Sequence, residues 1–161
     1  MSHPLAMDLE QTALAGGLPL VVLRRPGPRV LSARLMIRGG SSADPQRQRG
    51  AHQLLAGLMT RGCGELNAEA LADRVEGAGA ALRAEATEDA LTLALHCGAE
   101  DGEDLLPLLL SMVLQPTLQP DQVDLERQLN LQTLQRQRED PFQQAHDQLR
   151  RLLFAGGPYG H

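Results

Sequence analysis

Apolar and polar residues alternate with different periods along the chain, and each change of period predicts a change of element. Apolar residues at 31, 33, 35 and 37 alternate with polar or exposed positions and predict a strand over 30–38. The Leu- and Val-rich run from Leu18 to Arg24 predicts another strand before it. A Pro-Gly-Pro sequence at 26–28 separates the two runs. The pattern therefore favours a hairpin of these two strands.

Helical periodicity follows on both sides of a second pair of strands. A short helix is predicted from Ala51 to Met59, and Asn67 is a good N-cap for the next helix. Two more strands are predicted over 80–84 and 90–97, and three further helices over 104–114, 120–138 and 142–154. Paired strands that alternate with paired helices predict an α+β fold, with helices packed on one face of an antiparallel sheet.

Composition narrows the functional classes. The 161 residues are 42% apolar and 22% charged, which suits one ordinary globular domain. A net charge of -5 and an aromatic content of 2% argue against nucleic-acid binding. No apolar run reaches the ~20 residues of a membrane span, and the N-terminus lacks signal-peptide features. We predict a cytoplasmic protein with a flexible segment over 1–16 and one domain over 17–161.

Several side chains could carry chemistry on their own. Cys63 and Cys97 are the only cysteines, and we expect both to be free thiols in a reducing compartment. His52 with Cys63 is a candidate thiol–imidazole pair, but no third group is evident and Cys63 is expected in a loop. His146 beside Glu139 and Asp140 is a candidate metal group, although such residues near a helix end are usually solvated.

A series of short motifs, in order, resembles the pitrilysin and mitochondrial-processing-peptidase family of inverted-zincin metallopeptidases. In that family a hairpin and a Gly-containing loop lead to a helix of the form G-x-x-H-x-x-E-H. The corresponding helix here begins at Gly50. The other motifs that carry the resemblance are Arg61-Gly62, Asn67 to Leu71, Ala84 to Asp89, Gln115-Pro116, Glu126-Arg127, Asp140-Pro141 and Pro158 to Gly160. The resemblance extends from about Gly17 to Gly160.

The resemblance implies a degenerate zinc motif. In the family two imidazoles one helical turn apart hold zinc, and the glutamate beside them takes a proton from the metal-bound water. The ligand positions on this helix are His52 and Ala56, and the general-base position is Leu55. Counting E-R-x-x-x-x-x-E from Glu126 brings the third ligand position to Thr133. Only His52 is retained, so we expect no bound metal and no catalytic residue. Glu126 is the candidate outer-shell remnant.

The same resemblance implies a function through partnership. We expect a non-catalytic subunit or domain that pairs as a heterodimer with an active homologue, with peptide substrate in a shared chamber. Zinc is then expected only in the active partner. Two alternatives stay open: a purely structural family member, and an active metallopeptidase completed by sequence outside this chain. We also expect the family domain to lack its last helix and strand here, and an exposed sheet edge to permit a homodimer.

Overall fold

Residues 8–160 are described by a computed structural model and form strands and helices in the order expected of an α+β domain. The strands are β1 (Asp8–Ala13), β2 (Pro19–Arg24), β3 (Val30–Arg38), β4 (Gly62–Cys63), β5 (Leu66–Asn67), β6 (Ala81–Ala86) and β7 (Ala90–Gly98). The helices are α1 (Ala51–Met59), α2 (Ala68–Gly77), α3 (Gly102–Leu114), α4 (Pro120–Glu139) and α5 (Pro141–Leu153).

The central sheet is antiparallel, in the order β3-β7-β6. Its register places Leu35 opposite Leu93 and Ala33 opposite Leu95, so apolar side chains of neighbouring strands point to the same face. Helices α1, α2 and α3 cover that face. Leu93, Leu95 and Met112 are fully buried in the resulting core. The predicted fold class, with helices on one face of an antiparallel sheet, is confirmed.

The second helix begins where its sequence predicts. The Asn67 side chain accepts a hydrogen bond from the Ala70 N–H at 2.8 Å, which satisfies one of the free donors of the first turn. Glu69 lies in that turn, and Leu71 and Val75 face the core. The predicted bounds of all five helices agree with the observed ones to within two residues. The largest difference is at the start of α3, which is predicted at residue 104 and observed at Gly102.

The predicted hairpin of Leu18–Arg24 with Val30–Arg38 is wrong. Strand β2 pairs with β1, and β3 pairs with β7 instead. The β1–β2 turn contains Gly16 and Gly17, both with positive φ, which favours a tight connection. If β3 paired with the exposed β2, its apolar face would remain in contact with water. Pairing with β7 instead brings that face into the core.

Part of the segment expected to be flexible is also ordered into the fold. Of residues 1–16, those from 8 to 13 form β1, because its backbone pairs with β2 along its whole length. Residues 1–7 lie outside the described part of the chain. The domain boundary at residue 17 stays a prediction. The homodimer through a sheet edge also stays a prediction. Within residues 8–160, β3 and β6 are the edge strands of the central sheet, and each pairs along one side only.

Helices α4 and α5 pack on the outside of the domain, and neither contains a fully buried residue. Arg150 of α5 pairs with Glu88 at 2.9 Å and donates to the Tyr159 carbonyl at 3.1 Å. The Tyr159 hydroxyl donates to Asp89 at 2.6 Å, and that hydrogen bond to a carboxylate raises the pKa of Tyr159. Polar contacts with the β6–β7 turn therefore hold the C-terminal end in place. Within residues 8–160 no helix is long and apolar enough to cross a bilayer.

Candidate functional site

The start of α1 is built around a buried carboxylate. Gly50 precedes the helix with φ of 90°, a left-handed conformation that glycine adopts without strain. Asp44 accepts hydrogen bonds from the Gly50 N–H at 2.8 Å and the His52 N–H at 3.3 Å. It therefore satisfies free donors at the helix N-terminus, although it lies well before the helix in the chain.

The same carboxylate holds the side chain of His52. The Nδ1 atom of His52 lies 2.6 Å from Asp44 Oδ1, and the Asp44 side chain is 1% exposed. Burial by itself raises the pKa of Asp44, but the hydrogen bonds from His52 and from the Gly50 and His52 amides outweigh it. The pKa of Asp44 is consequently lowered from its ordinary 3.8. A carboxylate on one ring nitrogen also orients metal-binding imidazoles, so His52 keeps a ligand-like setting.

The other two site positions on α1 belong to the hydrophobic interior. Ala56 is 2% exposed and lies in the core together with Met59 and Leu93. Leu55 is partly buried and packs against the same core. Neither side chain has a polar atom, so neither could bind a metal or accept a proton. The structure thus places apolar packing at the positions where the resemblance requires a general base and a second imidazole.

Glu126, expected as a remnant of the site, contacts α1 directly. Its carboxylate pairs with Arg61 Nη2 at 3.0 Å, and its side chain is 13% exposed. The Asn130 amide nitrogen donates to Glu126 Oε1 at 3.2 Å. The carboxylate lies over Gly57, where a Cβ atom would overlap it. Glu126 is therefore a packed connection between α4 and α1 rather than a solvated surface residue.

Thr133 lies on α4, on the opposite side of a cavity from the start of α1. It is exposed on α4, and its hydroxyl donates to the Leu129 carbonyl at 3.0 Å, within the same helix. It lines a cavity of about 700 Å³ between α4 and the start of α1. None of His52, Leu55 or Ala56 lines that cavity. The third ligand position therefore lies across this cavity from the start of α1, and Ala56 and Thr133 at two of the three ligand positions leave His52 as the one imidazole among them.

The residues present do not fit a zinc ion. A protein zinc site uses at least three nitrogen, sulfur or oxygen ligands from histidine, cysteine, aspartate or glutamate. Within residues 8–160, no three such side chains form a group that could hold a metal. Of the three ligand positions His52, Ala56 and Thr133, only His52 carries one of these ligands.

The alternative constellations are not assembled either. Cys63 is 1% exposed and belongs to β4, not to the expected loop. Burial, together with Asp101 and Glu100, raises the pKa of Cys97, which disfavours its thiolate. His146 has Asp147 as its nearest carboxylate, at 3.9 Å, with both side chains about half exposed. These residues have no geometry of a nucleophile or a metal ligand set.

Sequence reasoning missed the residues that organise this region. No periodic pattern connects Asp44 with a helix that begins seven positions later. Arg61 enters the sequence analysis only as part of the Arg61-Gly62 pair, and Gly57 does not enter it. One signal was available for Gly57: a glycine in the middle of a helix often marks a close approach by another group.

The fold defines a class of structure before it defines a family: an α+β unit whose helix α1 packs on an antiparallel sheet. The sequence profile described as Insulinase (Peptidase family M16) matches residues 20–161. The chain belongs to this peptidase family. No curated protein matches the chain at a significant level.

Solved structures with low sequence identity share the fold. One is the inactive domain of a peptidase M16 from Pseudomonas fluorescens, with a TM-score of 0.88 at 23% identity, covering 96% of this chain and 38% of that one. Another is pitrilysin, with a TM-score of 0.71 at 19% identity, covering 81% of this chain and 14% of that one. The chain thus spans well under half the length of the structures that it resembles.

Proposed function

We propose that this chain is a non-catalytic part of an M16-type peptidase assembly. One observation carries the proposal: the two α1 positions that must supply a general base and a second imidazole are Leu55, partly buried against the hydrophobic core, and Ala56, within that core. A general base contributes about 10²–10⁴-fold to such reactions, and a missing metal removes the activated water as well. Within residues 8–160, no three metal-binding side chains form a group that could hold such a metal.

The role proposed for the chain is pairing with an active homologue, so that the two enclose a chamber that binds peptide. Membership of a peptidase family and likeness to a domain described as inactive support this role. The packing of Glu126 against Arg61 and Gly57 also supports it, since this contact joins α4 to α1 without any catalytic group. Zinc would then be bound by the active partner, and this chain would contribute binding surface.

The test is reconstitution with an active M16 homologue from the same genome. The chain is titrated into the homologue while hydrolysis of a fluorogenic peptide is followed, and size-exclusion chromatography records complex formation. We expect co-elution and a saturable rise in kcat/KM. The double variant Leu55→Ala with His52→Ala should stimulate equally, because these residues have no catalytic part in the proposal. Co-elution without any change in peptide hydrolysis would instead establish the purely structural alternative, and absence of a complex would overturn the proposal.

A further inference from the structure

The cavity between the start of α1 and α4 has the size of a ligand site. Its volume of about 700 Å³ lies within the ~300–1,000 Å³ typical of pockets that take small molecules or peptide side chains. One wall is formed by residues 48–51, 53 and 54, and the other by residues of α4 from Arg127 to Gln137. Thr133, the position of the lost third ligand, lies on the second wall.

The charge of this cavity differs in sign from that of the whole chain. Arg49 lines one wall and Arg127 the other, and no acidic residue lines the cavity. In the part of the chain that the structure describes, neither guanidinium lies within 4 Å of a carboxylate. Two arginines that line one cavity without an ion pair, in a chain with net charge -5, make a local site for an anion.

The rest of the lining suits a peptide better than a free inorganic ion. Leu54 and Leu134 supply apolar surface on opposite walls. Asn130 uses its amide nitrogen for the Glu126 carbonyl and carboxylate, which leaves its carbonyl oxygen to accept an N–H. Thr133 likewise donates its proton within α4 and keeps its oxygen as an acceptor. This lining suits an extended peptide in which an acidic residue lies between apolar residues. The arginines would bind the acidic side chain, the leucines the apolar side chains, and the acceptors the peptide N–H groups.

We propose that this cavity binds a peptide carboxylate, held between Arg49 and Arg127, with the neighbouring apolar side chains of the peptide on Leu54 and Leu134. Arginine forms paired hydrogen bonds with carboxylates, so the contact is directional as well as electrostatic. The inference rests on the proposed function for its ligand class, since that function requires the chain to contact peptide. It adds a preference for acidic residues and assigns two specificity-determining side chains.

The test uses the 161-residue chain alone and two fluorescein-labelled peptides that differ at one position, Leu-Glu-Leu against Leu-Gln-Leu. Fluorescence anisotropy gives the Kd of each. We expect the Glu peptide to bind about tenfold more tightly, because the Gln peptide loses the charge-assisted hydrogen bonds. Arg49→Gln and Arg127→Gln should each weaken binding of the Glu peptide about tenfold and leave the Gln peptide unaffected.

Arg47→Gln is the matched control, because Arg47 lies two positions from Arg49 but does not line the cavity. It should leave both Kd values within about twofold. Equal weakening by Arg47→Gln, or equal binding of the two peptides, would overturn the inference. Full displacement of the Glu peptide by inorganic phosphate at equal concentration would also overturn it, because a free anion would then suffice. Since no partner is present, failure here leaves the reconstitution test of the proposed function untouched.

Discussion

The two helices that carry the family's zinc positions are packed in opposite ways. Helix α1 buries Ala56, Leu58 and Met59 against the sheet, whereas α4 buries no residue and leaves Thr133 in solvent. A change at a core position must fit its neighbours, while a change on an exposed helix meets few restraints. The comparison teaches that Ala56 on α1 is restrained by its core neighbours, whereas Thr133 on α4 is not.

The largest effect is expected from restoring the imidazole on α1. Ala56→His should lower the free energy of unfolding by about 3 kcal/mol, because the larger ring overpacks the core and buries polar nitrogens. Urea unfolding followed by circular dichroism measures the loss. Gln53→His places the same side chain on an exposed position of α1 and should change stability by about 0.5 kcal/mol or less. Equal losses for the two variants would contradict the comparison.

The connection between the two helices should give the next largest effect. Glu126→Ala should cost about 2 kcal/mol, because it leaves Arg61 partly buried without its carboxylate. Urea unfolding again gives the value, and an exposed control on the same helix, Gln128→Ala, should change little.

Gly57 provides a sharper check of the same contact. Gly57→Ala should destabilise the native chain, because its Cβ overlaps the Glu126 carboxylate. In the Glu126→Ala background the same change should stabilise by about 0.5–1 kcal/mol, since alanine favours the helix more than glycine does. A double-mutant cycle measures the reversal of sign. The same effect in both backgrounds would rule out the described contact.

Asp44 should make the start of α1 sensitive to acid. Its pKa is lowered in the folded protein, so its stabilising contribution is present in full above the unfolded value near 3.8 and is lost as pH falls through the lower folded value. Asp44→Asn should therefore cost about 1–2 kcal/mol at neutral pH and progressively less below about pH 4. Unfolding curves over a pH series test this, with the exposed Asp73→Asn as the control. A difference that stays constant into strong acid would exclude this role for the carboxylate.

The smallest effect is expected on α4. Thr133→Glu returns a carboxylate to an exposed helix position and should change the unfolding free energy by about 0.5 kcal/mol or less. Any gain in the unfolding free energy should come from attraction of the new carboxylate to Arg49 and Arg127 across the cavity. That gain should decrease as the salt concentration rises. Thr133→Gln separates the charge from the side-chain shape. A loss comparable to that of Ala56→His would show that α4 is restrained like α1.

The sequence predicts most of the elements of this fold but fewer of its contacts. Helix α1 and the Asn67 cap follow from local periodicity and capping chemistry, which act within a few residues. The partner of β3 does not, because Leu31 to Ile37 would fit any apolar neighbour and only the complete core selects β7. The positions of the lost zinc site come from the family pattern. The role of Asp44 cannot be predicted from the sequence, because it depends on the three-dimensional path of the loop. The arginine-lined cavity cannot be predicted either, because it forms only where α1 and α4 meet.

Zinc titration of the metal-free chain by calorimetry tests the central claim most directly. A single imidazole held by Asp44, with a core-packed Ala56 and an exposed Thr133 at the other two ligand positions, cannot supply the several ligands that tight binding needs. The account predicts no saturable heat at micromolar zinc. Binding of one zinc ion per chain with submicromolar affinity, abolished by His52→Ala, would contradict it.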